Sequence, residues 1–220
     1  MPATTSPIHL QDCAVTIGGR LLLSTVNLRV EAGELVLIEG ASGSGKSLLL
    51  RALWGDIPLA SGTAEVAGLP LVPLTAAQLS NLRRKLGIVL EQPLFLEDEH
   101  CLTNIALPLI LAGAKDAEWR SRGMKALLEF ELSPAALRKP TGLSGGERLR
   151  LQMARALIHR PVLLLADEPF VQADAATLTL LSSQLDRARS QGTAIVMTAS
   201  RTAPRCDDAR RLILRDGTLQ

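Results

Sequence analysis

The chain has 220 residues, a formal net charge of +2 and 47% hydrophobic residues. This length and hydrophobic content exclude a disordered chain and suffice for one large α/β domain with a full core. The nearly balanced charge gives no electrostatic case for nucleic acid as a partner. With three Phe, two Trp and no Tyr, the chain also lacks the aromatic side chains on which single strands stack.

Cysteine usage and hydropathy bear on the compartment. The three cysteines lie far apart, at positions 13, 101 and 206, which predicts reduced thiols rather than a disulfide framework or a metal site. Residues 1–7 have no basic segment followed by an apolar stretch, so we predict no signal peptide. The most apolar long segment, residues 105–114, contains Pro108 and is too short to span a bilayer. We therefore expect a soluble protein.

Strand-like and helix-like patterns alternate along the chain, which predicts a mostly parallel sheet. Residues 8–16 and 21–30 flank Gly18-Gly19 and are expected to form an antiparallel hairpin. A helical pattern from residue 101 to about residue 160 predicts a helical subdomain attached to the sheet. Short apolar runs predict further strands at 35–39, 86–90, 162–166, 194–198 and 211–214. Residues 47–54 are predicted to form a helix.

The segment 40–47, Gly-Ala-Ser-Gly-Ser-Gly-Lys-Ser, fits the phosphate-loop pattern G-x-x-x-x-G-K-[ST] in full. Glycines permit backbone conformations that turn successive N–H groups around a phosphate, and the following helix presents its positive end to the same anion. We expect Lys46 to reach the β- and γ-phosphates and the Ser47 hydroxyl to bind Mg²⁺. The predicted phosphate contacts are Gly40, Ser42, Gly43, Ser44, Gly45, Lys46, Ser47 and Leu48.

A second acidic site follows the apolar run at 162–166, which ends in Asp167 and Glu168. In a phosphate-loop fold this strand lies beside the first one, so Asp167 is expected near Mg²⁺. Glu168 is the candidate catalytic residue, which would orient or deprotonate the attacking water.

A third motif narrows the class. Leu143-Ser144-Gly145-Gly146-Glu147 precedes the acidic strand and resembles the signature motif of ABC-type ATP-binding subunits. This motif binds the γ-phosphate of the nucleotide held by the opposite subunit. Asp174 stands where the family has its dimer-contact loop, the D-loop. The resemblance covers nearly the whole chain and implies ATP and Mg²⁺ as ligands.

The resemblance also implies the fold: an α/β ABC-type phosphate-loop NTPase core with a mostly parallel sheet, a small antiparallel β subdomain and an α-helical signature subdomain. The whole chain, 1–220, would form a single nucleotide-binding domain. Its antiparallel part is expected at about 8–30 and 61–72. The ATP-binding core is expected at about 31–60, 73–91 and 158–220, and the helical subdomain at about 92–157.

Within this class the chain resembles the FtsE, LolD and MacB group, and FtsE most closely. The likeness lies in residues 104–109, 163–169 and 212–217. It implies an integral membrane permease-like partner of the FtsX, LolC or MacB type, docked in a cleft around Glu91 to Ile105. It also implies a cytoplasmic protein bound peripherally to the inner face of the membrane, with cell division as one possible role and no nucleic acid as partner.

Three positions depart from the family pattern. The adenine-stacking aromatic falls on Thr16 or its neighbours, so apolar contacts from Val15 or Ile17 would hold the base. The family's Q-loop glutamine aligns with Glu91, and Gln92 is shifted by one residue, which turns a strand side chain to the other face. A carboxylate at Glu91 would either bind Mg²⁺ or repel the γ-phosphate. At the H-loop position, Thr198-Ala199-Ser200 stands where the family has Ser/Thr-His-Asp.

These departures leave several functions open. The first is an ATPase that hydrolyses ATP slowly, closes as a homodimer and moves a membrane partner. The second is a nucleotide-gated scaffold whose dimerisation alone regulates that partner. The third is one half of a heterodimer, in which Ser144 and Gly146 complete the site of a different ATPase. The missing histidine is expected to slow chemistry more than binding.

Overall fold

The computed structural model describes residues 6–171, 173–200 and 208–220. Within these ranges the chain forms ten strands and six α-helices. No helix in the described part is both long enough and apolar enough to cross a membrane. Cys13 and Cys101 are buried free thiols, and Cys206 lies outside the described residues.

The strands are numbered in chain order: β1 Ile8–Ile17, β2 Arg20–Val30, β3 Leu35–Glu39, β4 Ser61–Val66, β5 Leu69–Pro70, β6 Leu86–Val89, β7 Leu163–Ala166, β8 Ala194–Ala199, β9 Arg210–Arg215 and β10 Thr218–Leu219. The helices are α1 Lys46–Leu53, α2 Ala76–Lys85, α3 Cys101–Leu111, α4 Asp116–Glu129, α5 Gly145–Leu157 and α6 Ala175–Ser190.

Two sheets organise the described chain. Strands β2-β1-β4-β5 form an antiparallel sheet of four strands, and β10-β9-β3-β8-β7-β6 form a sheet of six. In the larger sheet, β9, β3, β8, β7 and β6 run parallel, and β10 pairs antiparallel with β9. Because parallel neighbours end at the same edge, the carboxyl ends of β3, β7 and β8 lie side by side.

The larger sheet is covered on both faces, and its strands therefore consist almost wholly of apolar residues. In β3, Leu35 and Leu37 pack into a core shared with the helices α3, α4 and α5. The alternate residues Val36 and Ile38 pack into a second core, shared with α1 and the antiparallel sheet. These two cores hold the carboxyl edge of the sheet in place between the antiparallel part and the helices.

The ABC-type α/β fold is confirmed, and the predicted strands agree with the observed ones to within two residues. Helix α2 was not predicted. Its signal was present, because Thr75 and Gln78 form a capping box at its start, which is the S/T-x-x-E/Q pattern that marks a helix beginning. Leu82 is its one buried residue, so the apolar periodicity that identifies most helices is weak here.

Candidate functional site: a phosphate loop beside an acidic strand end

The phosphate loop joins β3 to α1 at the carboxyl edge of the larger sheet. Lys46, the first residue of α1, is only 5% exposed. Its Nζ donates to the carbonyl of Gly40 at 2.9 Å and to the carbonyl of Ala41 at 3.1 Å. The loop therefore bends around its own lysine, and the ammonium lies inside the turn of the loop.

Glycine is required in this loop for two different reasons. Gly43 and Gly45 have φ values of +80° and +102°, a region that residues with a Cβ rarely occupy. A Cβ on Gly40 would lie 2.5 Å from the Leu214 carbonyl oxygen and 2.7 Å from Ser44 Oγ. Ser44 Oγ is itself buried without a hydrogen-bond partner. A loop that holds a buried hydroxyl without a hydrogen-bond partner and leads into the start of a helix fits an anionic phosphate ligand.

The acidic strand end follows β7, the neighbour of β8. Asp167 is 7% exposed, and its Oδ1 accepts a 2.6 Å hydrogen bond from Thr198 Oγ1. The same Thr198 oxygen accepts the backbone N–H of Glu168 at 2.9 Å. Glu168 has a φ of +46°, so its backbone leaves the strand in a left-handed turn that only the surrounding contacts hold.

Glu168 and the phosphate loop meet at this edge. Lys46 Nζ lies 3.3 Å from Glu168 Oε1, and the two side chains are 5% and 12% exposed. Glu168 Oε2 accepts two hydrogen bonds from Ser200, at 3.0 Å from its backbone N–H and at 3.1 Å from its hydroxyl. Glu168 and the phosphate loop share an open cleft of about 440 Å³. The cleft is lined by Leu22, Ser42, Gly43, Ser44, Gly45, Lys46, Ser47, Leu48, Glu91, Glu168, Val171 and Ser200.

The signature segment begins α5 and does not line this cleft. Ser144 is the N-cap of α5, and it forms a capping box with Glu147. The Ser144 backbone N–H and hydroxyl each donate to Glu147 Oε2 at 2.8 Å, and these bonds lower the pKa of the Glu147 carboxyl. Leu143 is buried, whereas Ser144 and Gly145 are exposed. The helix start therefore presents free backbone N–H groups outward.

Asp174, at the predicted D-loop position, is the N-cap of α6. Its Oδ1 accepts the backbone N–H of Thr177 at 2.7 Å, and this hydrogen bond lowers the pKa of the Asp174 carboxyl. A Cβ on Gly146 would lie 3.2 Å from Thr177 Oγ1. The signature helix and the D-loop helix are therefore in close contact.

The Q-loop and H-loop positions, which depart from the family pattern, have different surroundings. Glu91 is exposed and lines the cleft, and Gln92 is exposed but does not line it. Ala199 is 7% exposed, and its methyl group packs in the helical core. The polar group that reaches the carboxylate of Glu168 from this strand end belongs to the next residue, Ser200.

The predicted adenine contacts need one correction. Val15 is 1% exposed and packs in the core of the antiparallel sheet, because it faces inward from β1 opposite Leu23. The structure therefore does not offer Val15 to a ligand. Thr16 is half-buried, and Ile17 is 47% exposed. Sequence reasoning missed Leu22, which lines the cleft although nothing in its local pattern marks it.

The donors predicted for Mg²⁺ are Ser47, Asp167 and Glu91. Ser47 and Glu91 line the cleft, and Asp167 lies at the strand end beside Glu168. The described residues contain no cluster of three or more His, Cys, Asp or Glu side chains spaced to hold a metal ion. A hydroxyl and isolated carboxylates suit an ion that retains waters and binds through substrate phosphates, as Mg²⁺ does.

Three features together define a phosphate-loop NTPase of the ABC class. They are the phosphate loop, the acidic end of β7 and a helix that begins with a signature-like segment. The chain belongs to the ABC transporter family, whose sequence profile matches residues 23–171. The resemblance to ABC-type ATP-binding subunits is thus confirmed, and the chain is an ABC transporter ATP-binding cassette.

Solved structures are similar over almost the full length. A dimeric structure of MJ0796, described as a bacterial ABC transporter cassette, has 30% identity and a TM-score of 0.86, covering 97% of this chain and 96% of the other. A dimeric post-hydrolysis state of MJ0796, bound to ADP and Pi, has 29% identity and a TM-score of 0.83, with the same coverage. An ATP-binding subunit of an ABC transporter, at 22% identity with 97% and 88% coverage, has a TM-score of 0.87 and supports the fold alone.

Proposed function

We propose that this chain binds Mg-ATP between two subunits and hydrolyses it slowly to drive or gate a membrane permease-like partner. The observation that carries the proposal is the separation of two phosphate-binding elements. The phosphate loop, Lys46 and Glu168 line one cleft, whereas the exposed signature segment at Ser144 and Gly145 lies outside it. A second subunit, turned end to end, brings its signature segment to that cleft and completes the site.

The residues of the cleft fit ATP hydrolysis. The loop amides and Lys46 bind the phosphates, and Glu168 accepts a proton from water as the water oxygen bonds to the γ-phosphorus. The bond from this phosphorus to the β,γ-bridging oxygen breaks, and its electron pair leaves with ADP. Ser47 and Asp167 would hold Mg²⁺, which would neutralise negative charge on the phosphates.

Dimerisation is supported by the relatives, since the MJ0796 cassette is described as dimeric in two structures. In the proposed dimer Ser144 turns from Glu147 to the γ-phosphate of the opposite nucleotide, together with the N–H groups at the start of α5. A homodimer uses two identical sites. A heterodimer uses this signature segment to complete the site of another ATPase.

The proposed membrane partner docks beside the cleft, between Glu91 and Ile105. In this segment Leu94 is 67% exposed and Leu96 is 45% exposed, which gives a membrane protein apolar contact area. The ring of Phe95 contacts two guanidinium groups. Its centroid lies 5.0 Å from Arg148 Cζ and 4.9 Å from Arg155 Cζ. This segment is thus tied to the signature helix α5. With such a partner, of the FtsX, LolC or MacB type, the chain lies at the cytoplasmic face of the membrane.

Two positions favour a second function, a nucleotide-gated scaffold with little turnover. Ala199 supplies only a buried methyl group at the end of β8, and Glu91 places a carboxylate in the phosphate cleft. Both changes weaken stabilisation of the γ-phosphate in the transition state and leave the loop that binds ATP intact. Dimerisation on ATP would then regulate the partner without rapid hydrolysis.

Steady-state ATPase rates and ATP-dependent dimerisation separate the two functions. They are measured for the wild type, Glu168→Gln and Ala199→His, and Glu118→Gln is the matched control, because Glu118 is an exposed glutamate on α4. Wild-type turnover that Glu168→Gln abolishes, with a trapped dimer, supports the energising ATPase. A wild type that dimerises on ATP without turnover, and gains turnover in Ala199→His, supports the scaffold. If the wild type does not dimerise on ATP, both the energising ATPase and the scaffold are contradicted as homodimers. The function as one half of a heterodimer would then remain.

A further inference from the structure

Both oxygens of the Glu168 carboxylate have polar partners, and these partners come from different parts of the site. Oε2 accepts the backbone N–H of Ser200 at 3.0 Å and the Ser200 hydroxyl at 3.1 Å. Oε1 faces Lys46 Nζ at 3.3 Å. Because two donors from one residue converge on a single oxygen, the orientation of the carboxylate plane is set by Ser200.

The backbone places Ser200 in this position. Strands β7 and β8 are parallel neighbours, with Ala166 opposite Met197, so the residues that follow them emerge side by side. The Glu168 N–H donates to Thr198 Oγ1 at 2.9 Å, which ties the two chain segments together just before Ser200. Side chains alternate along a strand, so Ala199 points into the helical core and Ser200 reaches the cleft.

Lys46 is held among three oxygen atoms in this arrangement. Its Nζ donates to the carbonyls of Gly40 and Ala41 and forms an ion pair with the carboxylate of Glu168. Phosphates bound in the loop compete for the same ammonium, because a multiply charged phosphate attracts it more strongly than one carboxylate oxygen does. Nucleotide binding therefore releases Oε1, and Ser200 continues to hold Oε2.

We propose that Ser200 is a positioning residue for Glu168. It fixes Oε2 and so leaves Oε1, once Lys46 has turned to the phosphates, as the atom that accepts the proton of the attacking water. This inference rests on the proposed ATPase function. Ser200 takes an orienting role that Ala199, at the H-loop position, does not fill because it has no polar side-chain group.

The test is a comparison of Ser200→Ala, Ser200→Thr and the wild type in ATP hydrolysis, with Ser190→Ala as the matched control. Ser190 is an exposed serine whose hydroxyl donates to the Arg187 carbonyl at the end of α6. We expect Ser200→Ala to lower kcat about tenfold, which corresponds to one hydrogen bond to a charged group. KM and the Kd for ATP are expected to change less than twofold, because the role proposed for the hydroxyl is to orient Glu168, to which it donates.

Ser200→Thr keeps the hydroxyl and is expected to recover most of the wild-type kcat. Thermal unfolding of each variant in the absence of nucleotide checks that the fold is retained. A merely structural role of Ser200 would lower the unfolding temperature and leave kcat per folded molecule unchanged, and that result overturns the proposal.

Three further outcomes also overturn it. If KM rises in Ser200→Ala while kcat is unchanged, the hydroxyl contacts ATP directly. If Ser200→Ala and Ser190→Ala both match the wild type in turnover, Glu168 is oriented without the hydroxyl. A wild type without turnover refutes hydrolysis itself and with it the role of Ser200, whereas turnover that is insensitive to Ser200 refutes only the role of Ser200.

Discussion

Gln152 Nε2 donates a 2.8 Å hydrogen bond to the carbonyl oxygen of Leu90. Gln152 lies in the middle of the signature helix α5 and is 1% exposed, and Leu90 immediately precedes Glu91. The bond therefore joins the helix that carries the signature segment to the residue that precedes the Q-loop position. It connects two elements that the proposed dimer and the proposed membrane partner would each contact.

Replacing this amide is expected to destabilise the fold. In Gln152→Leu the side chain keeps a similar volume, but the Leu90 carbonyl loses its buried partner. We expect the free energy of unfolding to fall by about 1–3 kcal/mol, as measured by urea denaturation. Gln184→Leu is the control, because the half-buried Gln184 donates to the Glu129 carbonyl at the end of α4, where water can replace it. Equal losses in the two variants would contradict this account of Gln152.

Two glycines of the phosphate loop are expected to respond differently to alanine. In Gly43→Ala the new Cβ meets nothing within 4 Å, and its cost is the positive φ of +80°, about 1–2 kcal/mol. In Gly40→Ala the Cβ meets the Leu214 carbonyl oxygen and Ser44 Oγ, so backbone must move. Urea denaturation is expected to show a larger loss for Gly40→Ala. A larger loss for Gly43→Ala would mean that the loop relaxes around position 40.

Among the described residues, the lining of the cleft contains no aromatic side chain, and from the start of β2 it includes the aliphatic Leu22. We expect Thr16→Tyr to lower the Kd for ATP about tenfold, because base–aromatic stacking contributes about 1–3 kcal/mol. The measurement is equilibrium binding of a fluorescent ATP analogue, with unlabelled GTP as competitor. Thr63→Tyr is the control, since Thr63 is an exposed threonine on β4 of the same sheet. A similar gain in both variants would argue against a base at Thr16.

The stability of the fold is expected to depend on pH through His159. Burial lowers the pKa of His159 below its ordinary value, and the charge of Arg122 acts in the same direction, against the hydrogen bond with the Leu86 carbonyl. The unfolded chain therefore binds the proton more readily than the folded one. Stability is present above the unfolded pKa of about 6.5 and decreases as the pH falls below it.

The slope for one proton is at most about 1.4 kcal/mol per pH unit. It is measured as the free energy of unfolding in urea between pH 7.5 and pH 5. In His159→Gln we expect this slope to become shallower, while His9→Gln, at an exposed position on β1, keeps it. An unchanged slope in His159→Gln would assign the pH dependence to other groups.

The sequence alone contained enough to predict the fold and to find the phosphate loop, the acidic strand end and the signature segment. Apolar runs such as 35–39 and 162–166 are short, bounded and rich in Leu and Val, because both faces of these strands are buried. Motifs such as 40–47 and 143–147 consist of consecutive residues, so a local pattern is enough to identify them. Lys46, Ser144 and Glu168 could be selected on this basis.

Only the tertiary structure decided which side chains meet. Ser200 lies 32 positions from Glu168, and the contact exists because β7 and β8 are parallel neighbours that end at the same edge. The inward direction of Val15 follows from its pairing with Leu23 across β1 and β2, where irregular register shifts the alternation of the strand. Contacts between distant segments depend on strand order and packing, which no local pattern of residues encodes.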